Sequence, residues 1–282
     1  MVINGRTDLA NEVRRRLCDG SSVTELPGVR AREERIGSYD ITSVEILDPQ
    51  GEQLLGKPAG RYVTMELPPR FRDDFSGAAH TLARLIRQTA GTLPATVLLA
   101  ALGNPDITPD ALGSLCASRL LVTAHLKDRD PESFDAFRRT FLFRPGVLGT
   151  SGLESARQIR SLCQECRPGL VIAVDALAGA DLQMLCRSVQ ISDSGIAPGS
   201  GVGNARQAMT REMLGVPVLA IGVPTVVDAS SFSSDPALQG MFVTPRSIDS
   251  LVRSCAGLIA AGINLALHPK VSLEEMELLT AD

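Results

Sequence analysis

ATVLLAALGNPDITPDALG, residues 95–113, runs from a buried strand through a sharp turn into a helix. Val97 to Leu102 is an unbroken apolar run, the pattern of a parallel strand covered on both faces. Gly103-Asn104 ends it, and Thr108-Pro109-Asp110 reads as a helix start with a capping hydroxyl, a proline at the first helical position and an acid in the first turn. Asp110 is thereby placed outside the carboxyl end of a central strand, where open α/β sheets carry their chemistry. LVIAVDALA, residues 170–178, repeats the pattern and brings a second acid, Asp175.

Outward from these two strands, the chain alternates strand and helix signals. GRTDLANEVRRR, Gly5 to Arg16, reads as a short terminal helix. Ile36 to Leu47 and Tyr62 to Leu67 alternate as half-exposed strands, with Gly51 to Gly60 as the loop between them, which suggests an antiparallel element. Phe75 to Gln88 has helical spacing, Leu120 to Leu126 reads as a strand ending near His125, and Asp128 to Arg139 as a charged helix or loop. A helix over Glu154 to Cys166 follows the small-residue turn PGVLGTSG at 145–152. After Asp175 come a short strand at 189–192, the loop DSGIAPGSGVGN at 193–204, a helix through Leu214, a strand at 216–223 and a long helix over Ser247 to Leu267. The expected fold class is α/β: a mainly parallel sheet with helices on both faces plus a small antiparallel element, forming a single domain over residues 1–282.

Composition narrows the function. At 44% hydrophobic residues the 282-residue chain has material for a large core. A net charge of −4 with no basic run argues against a nucleic-acid surface, and with no Trp and two Tyr there is little to stack on bases. The polar N-terminus and short apolar runs predict neither signal peptide nor membrane span, hence a cytoplasmic protein. The six cysteines read as reduced core thiols, and the Cys163–Cys166 spacing has no second pair to complete a zinc site.

Three chemistries compete for the candidate site. The glycines at 199, 201 and 203 form GxGxG rather than GxGxxG, and no Walker lysine follows, which disfavours a nucleotide site. Such a loop, with Gly199, Ser200 and Gly201, suits packing or gripping a peptide main chain, as does Gly149 in the PGVLGTSG turn. Ser151 and Ser200 both lie outside a GxSxG context. Two carboxylates in one crevice cannot both ionise easily, so one keeps a proton while the other activates water; Asp110 and Asp175 are the candidates for peptide hydrolysis. The structural alternative is that Asp110 is only a helix-start acid and Asp175 only steadies a turn.

The ordered motifs RTDLA (6–10), GKPAGRYVTMEL (56–67), LGN with TPDALG, PGVLGTSGLES, VIAVDALA, QISDSGIAPGSGVGN, LGVPVLAIGVPTVVDA and GINLALHP resemble the germination protease of spore-forming bacteria over nearly the whole chain. The resemblance implies an endopeptidase of atypical aspartic type that cuts small acid-soluble spore proteins in the spore core, with Asp110 and Asp175 as its acids and no cofactor. It also implies a homo-oligomer made as a zymogen, with residues 1–8 as a short propeptide and processing near Thr7, Asp8 and Leu9. Ala124 before His125, and Gly179 and Ala180 after DALA, replace arginines usual in the family. Two other readings stand beside it. A relative of the hydrogenase maturation endopeptidases would use Asp110 and His125 as metal ligands. A non-catalytic member would bind spore proteins without cutting them.

Overall fold

The computed structural model describes residues 6–18, 26–203, 206–232 and 235–280. Residues 1–5 of the expected propeptide and Asn204 of the glycine-rich loop lie outside that set. In chain order the strands are β1 (Val29–Ile36), β2 (Tyr39–Ile46), β3 (Gly60–Glu66), β4 (Thr96–Ala101), β5 (Arg139–Phe143), β6 (Leu170–Gly179), β7 (Ser188–Ser192), β8 (Val218–Asp228) and β9 (Phe242–Val243). The helices are α1 (Ala10–Cys18), α2 (Pro49–Leu55), α3 (Phe75–Ala90), α4 (Leu112–Ala117), α5 (Ala124–Arg129), α6 (Leu148–Ser151), α7 (Ser155–Cys166), α8 (Arg211–Leu214), α9 (Ile248–Leu267) and α10 (Leu273–Thr280).

The strands form one sheet in the order β1-β2-β3-β7-β8-β6-β4-β5, with β9 paired to β8. The sheet is mixed, which corrects the expectation of a mainly parallel one. Only β8-β6, β6-β4 and β4-β5 are parallel; β1-β2, β2-β3, β3-β7, β7-β8 and β8-β9 are antiparallel. The link from β6 to β7 explains much of this: residues 180–187 hold one 3-10 turn, too little chain for a crossover helix, so the strand returns reversed.

Helices do cover both faces. On one, α3, α4 and α9 bury Leu82, Ile86, Leu112, Ile259 and Ile263 against Leu99, Ile172 and Ile221. On the other, α7 and α8 bury Ile159 and Leu214 against Leu98, Val171 and Val218, and α1 covers Val44 and Tyr62 farther along. Alternate residues of each strand thus feed opposite layers. α9 is long and apolar enough to span a membrane by composition, and here it is a core helix packed on α3 and α4.

Several local expectations change. The strand expected from residue 36 is a hairpin that turns at Gly37, whose φ is +61°, and β1 (VRAREERI) was hidden by its charges, which suit an exposed edge. Gly51 to Gly60 is not all loop, because α2 fills its first half. Leu120 to Leu126 is not a strand. Leu121 donates its N–H to Asn264 of α9 at 3.0 Å, Thr123 meets β5 through Thr140, and α5 begins at Ala124. Leu120 and Leu121 are buried in the core cluster shared by the sheet with α3, α4 and α9. The helix expected after the glycine loop is confined to α8, capped by Thr210.

Candidate active site

Asp110 stands on a single 3-10 turn, Thr108–Asp110, between β4 and α4. Thr108 does not cap it as expected; its hydroxyl donates to Asp249 at the start of α9 at 3.0 Å. The Asn104 N–H donates to Asp110 Oδ2 at 2.8 Å, closing the loop. Gly103, at φ +93°, makes that closure feasible, since a Cβ there would lie 2.0 Å from the Asp110 carbonyl oxygen. α4 packs as tightly: a Cβ on Gly113 would lie 2.3 Å from the Leu102 carbonyl oxygen.

Asp175 occupies β6 itself, buried at 4% exposure, beside Gly222 of β8. Its Oδ1 accepts the Ala176 N–H at 3.0 Å. Both acids line one cleft of about 440 Å³ at the carboxyl ends of β4, β6 and β8. Burial pushes the Asp175 carboxyl well above the usual range, and the charge of Asp110 pushes it further. Burial also raises Asp110, opposed by its Asn104 hydrogen bond.

The N-terminal segment forms another wall. Asp8 donates its N–H to the Ala178 carbonyl at 2.8 Å and takes the Ala178 N–H on Oδ2 at 2.9 Å, so it docks on the β6 edge three residues beyond Asp175. Ser200 donates to Asp8 Oδ1 at 2.9 Å, and Gly201 must lack a side chain, because a Cβ would come within 2.2 Å of Asp8 Oδ2. Leu9 is fully buried with Leu177 and Met184. Thr7 joins through its hydroxyl to Glu12 at 2.5 Å and its carbonyl to the Lys57 ammonium at 3.1 Å.

The cleft therefore brings together Asp110, Asp175, Asp8, Gly199 and Gly201; Ser200 reaches it through Asp8, on the side of an adjoining cavity of about 220 Å³. Gly149 is exposed and stands just outside; Gly146, Val147 and Leu148 form that wall. His125 is exposed on α5 and does not line the cleft with Asp110. Among the described residues no group of three or more His, Cys, Asp or Glu side chains is arranged to hold a metal.

Sequence reasoning missed Lys57 and Glu12. Burial lowers Lys57, opposed by Asp8 and Glu12, and burial raises Glu12, which accepts the Ala180 and Asp181 N–H groups. The available signal was Glu12 itself, a charge on the inward face of a helix next to Ala10.

Against known sequences, the profile described as germination protease matches residues 7–239. The chain belongs to the germination protease family. It is 40% identical to a germination protease of Caldanaerobacter subterraneus subsp. tengcongensis, with 99% of each chain covered. It is 34% identical to one from Clostridium tetani (96% of this chain, 98% of the relative) and 31% identical to one from Bacillus subtilis (95% of each). Membership in the germination protease family makes the protein a protease, and the matched span contains the Asp8 dock as well as both acids of the cleft.

Proposed function

We propose that this germination protease is an endopeptidase that begins the degradation of small acid-soluble spore proteins in the spore core, using Asp110 and Asp175 to activate water. The observation that carries the reading is the shared cleft, in which the more deeply buried acid is pushed towards its protonated form by burial and by the charge of the other. Asp175 then holds the proton, and Asp110, whose charge is supported by the Asn104 N–H, is the base. Asp110 takes a proton from water as the water oxygen adds to the substrate amide carbon, and Asp175 gives its proton to the carbonyl oxygen. The proton on Asp110 then passes to the leaving nitrogen as the C–N bond breaks, and one hydroxyl of the gem-diol returns its proton to Asp175 as the carbonyl re-forms. No cofactor is invoked.

Docking of residues 6–9 beside Asp175 supports a zymogen processed near Thr7, Asp8 and Leu9; an assembly of identical subunits is proposed from family membership alone. The decisive experiment incubates purified protein with a small acid-soluble spore protein and follows fragments. Asp110→Asn and Asp175→Asn should each lower cleavage by about 10²-fold or more while circular dichroism stays unchanged. Full activity in either variant overturns the pair mechanism. Mass spectrometry of protein held at mildly acidic pH should show loss of the N-terminal residues; an intact N-terminus in active enzyme overturns the processing step.

A further inference from the structure

A separate cavity of about 590 Å³ lies between α3, α9 and α10, and it shares no lining residue with the cleft. Three arginines line it: Arg72 from the 3-10 turn before α3, Arg119 after α4, and Arg253 on α9. Among the described residues no carboxylate lines this cavity, and none of the three arginines is in an ion pair. In a chain of net charge −4, three exposed guanidinium groups face one space that, among the described residues, no carboxylate lines.

The cavity also has a definite shape. Arg119 donates from Nη1 to the Arg253 carbonyl at 3.2 Å, and its own carbonyl accepts the Asn264 amide at 2.8 Å. Asn264 is buried at 3% exposure, so Arg119 is tied to a fixed point of the core. Gly257 lets the guanidinium lie against α9, since a Cβ there would be 3.3 Å from Nη1. Phe75, Leu273 and Met276 add an apolar wall. A volume of this size suits a small molecule, and guanidinium forks match the oxygens of a phosphate in pairs.

We propose that this cavity binds a small organic phosphate, with the phosphate on Arg72, Arg119 and Arg253 and an apolar body against Phe75, Leu273 and Met276. The site is independent of the peptidase reading. Calorimetric titration of the full chain with phenyl phosphate should give saturable binding about tenfold tighter than inorganic phosphate or benzoate. Arg119→Gln and Arg253→Gln should each weaken phenyl phosphate about tenfold, and Arg253→Gln should leave proteolysis unchanged. Ala261→Leu, which narrows the cavity, should weaken phenyl phosphate and spare inorganic phosphate. Absence of saturable binding at millimolar phenyl phosphate overturns the proposal, as does binding that neither arginine substitution alters. Equal affinity for benzoate rejects phosphate as the ligand group.

Discussion

The two halves of the sheet treat charge differently. In the parallel half, β8-β6-β4-β5, two acids line the cleft at the strands' carboxyl ends, among the described residues without an ion pair, and burial together with the charge of its neighbour raises the deeper one. In the antiparallel half, β3 and β7 support a cluster that includes both signs: Lys57 from the loop before β3, with Glu12 and Asp8 from the N-terminal segment. Gln190 of β7 knits that segment down, accepting the Ala10 N–H at 2.9 Å and donating to the Asp8 carbonyl at 3.0 Å. Unpaired acids can exchange protons and are suited to chemistry, whereas a cluster of both signs is suited to holding a segment in place. Asp8 belongs to both, because its charge also raises Asp175.

The largest effect should come from removing the cation of the antiparallel half. Lys57→Met removes the cation near Asp8 and Glu12 and frees the Thr7 carbonyl, which should cost about 2–3 kcal/mol of unfolding free energy. Urea denaturation measures it. Adding Glu12→Gln should recover part of the loss, since the two sites are coupled. An unchanged midpoint in Lys57→Met would mean that the antiparallel half does not depend on this cation.

The parallel half supplies the next effect through a base. His268, at the end of α9, is fully buried; its Nδ1 accepts the Arg138 N–H at 3.2 Å, and its Nε2 is without a partner. Burial, with Arg138 and Lys127 nearby, lowers it from 6.5 to about 4. The unfolded chain therefore binds a proton that the folded one refuses between those values. Stability contributed by neutral His268 is full above pH 6.5 and falls as pH drops towards 4, by about 2 kcal/mol between pH 6.5 and 5. Comparison with His268→Gln isolates the effect: a pH slope that persists undiminished in the variant would assign it elsewhere.

What the sequence made legible follows the same division. β4, β6 and β8 are near-continuous apolar runs, so Asp110 and Asp175 stood out as the acids that end or interrupt them. The antiparallel half is written in charges: β1 carries five charged residues in eight, and periodicity cannot distinguish such an edge strand from a loop. The docking role of Asp8 was not legible, because its partners, Ala178 and Ser200, lie 170 and 192 residues away. Leu120 to Leu126 failed for the opposite reason, an apolar run that is a buried connection and the start of α5 rather than a strand.

The smallest effect tests a signal that was present and misread. DPQGEQLLG, residues 48–56, has an N-cap acid, a proline at the first helical position and a terminal glycine, and it folds as α2. Asp48 Oδ1 accepts the Gln50 and Gly51 N–H groups at 2.9 and 3.0 Å, and Gly56 closes the helix at φ 63°. The internal glycine obscured the pattern, yet it is needed: Gly51 lies against Gly28, and a Cβ there would come within 2.3 Å of the Gly28 carbonyl oxygen. Asp48→Ala should cost about 1 kcal/mol in thermal or urea unfolding, and Asp48→Ser should recover most of it. If Asp48→Ala is neutral, α2 is held by Leu55 against α1 and β2 alone, and packing rather than capping decides that stretch.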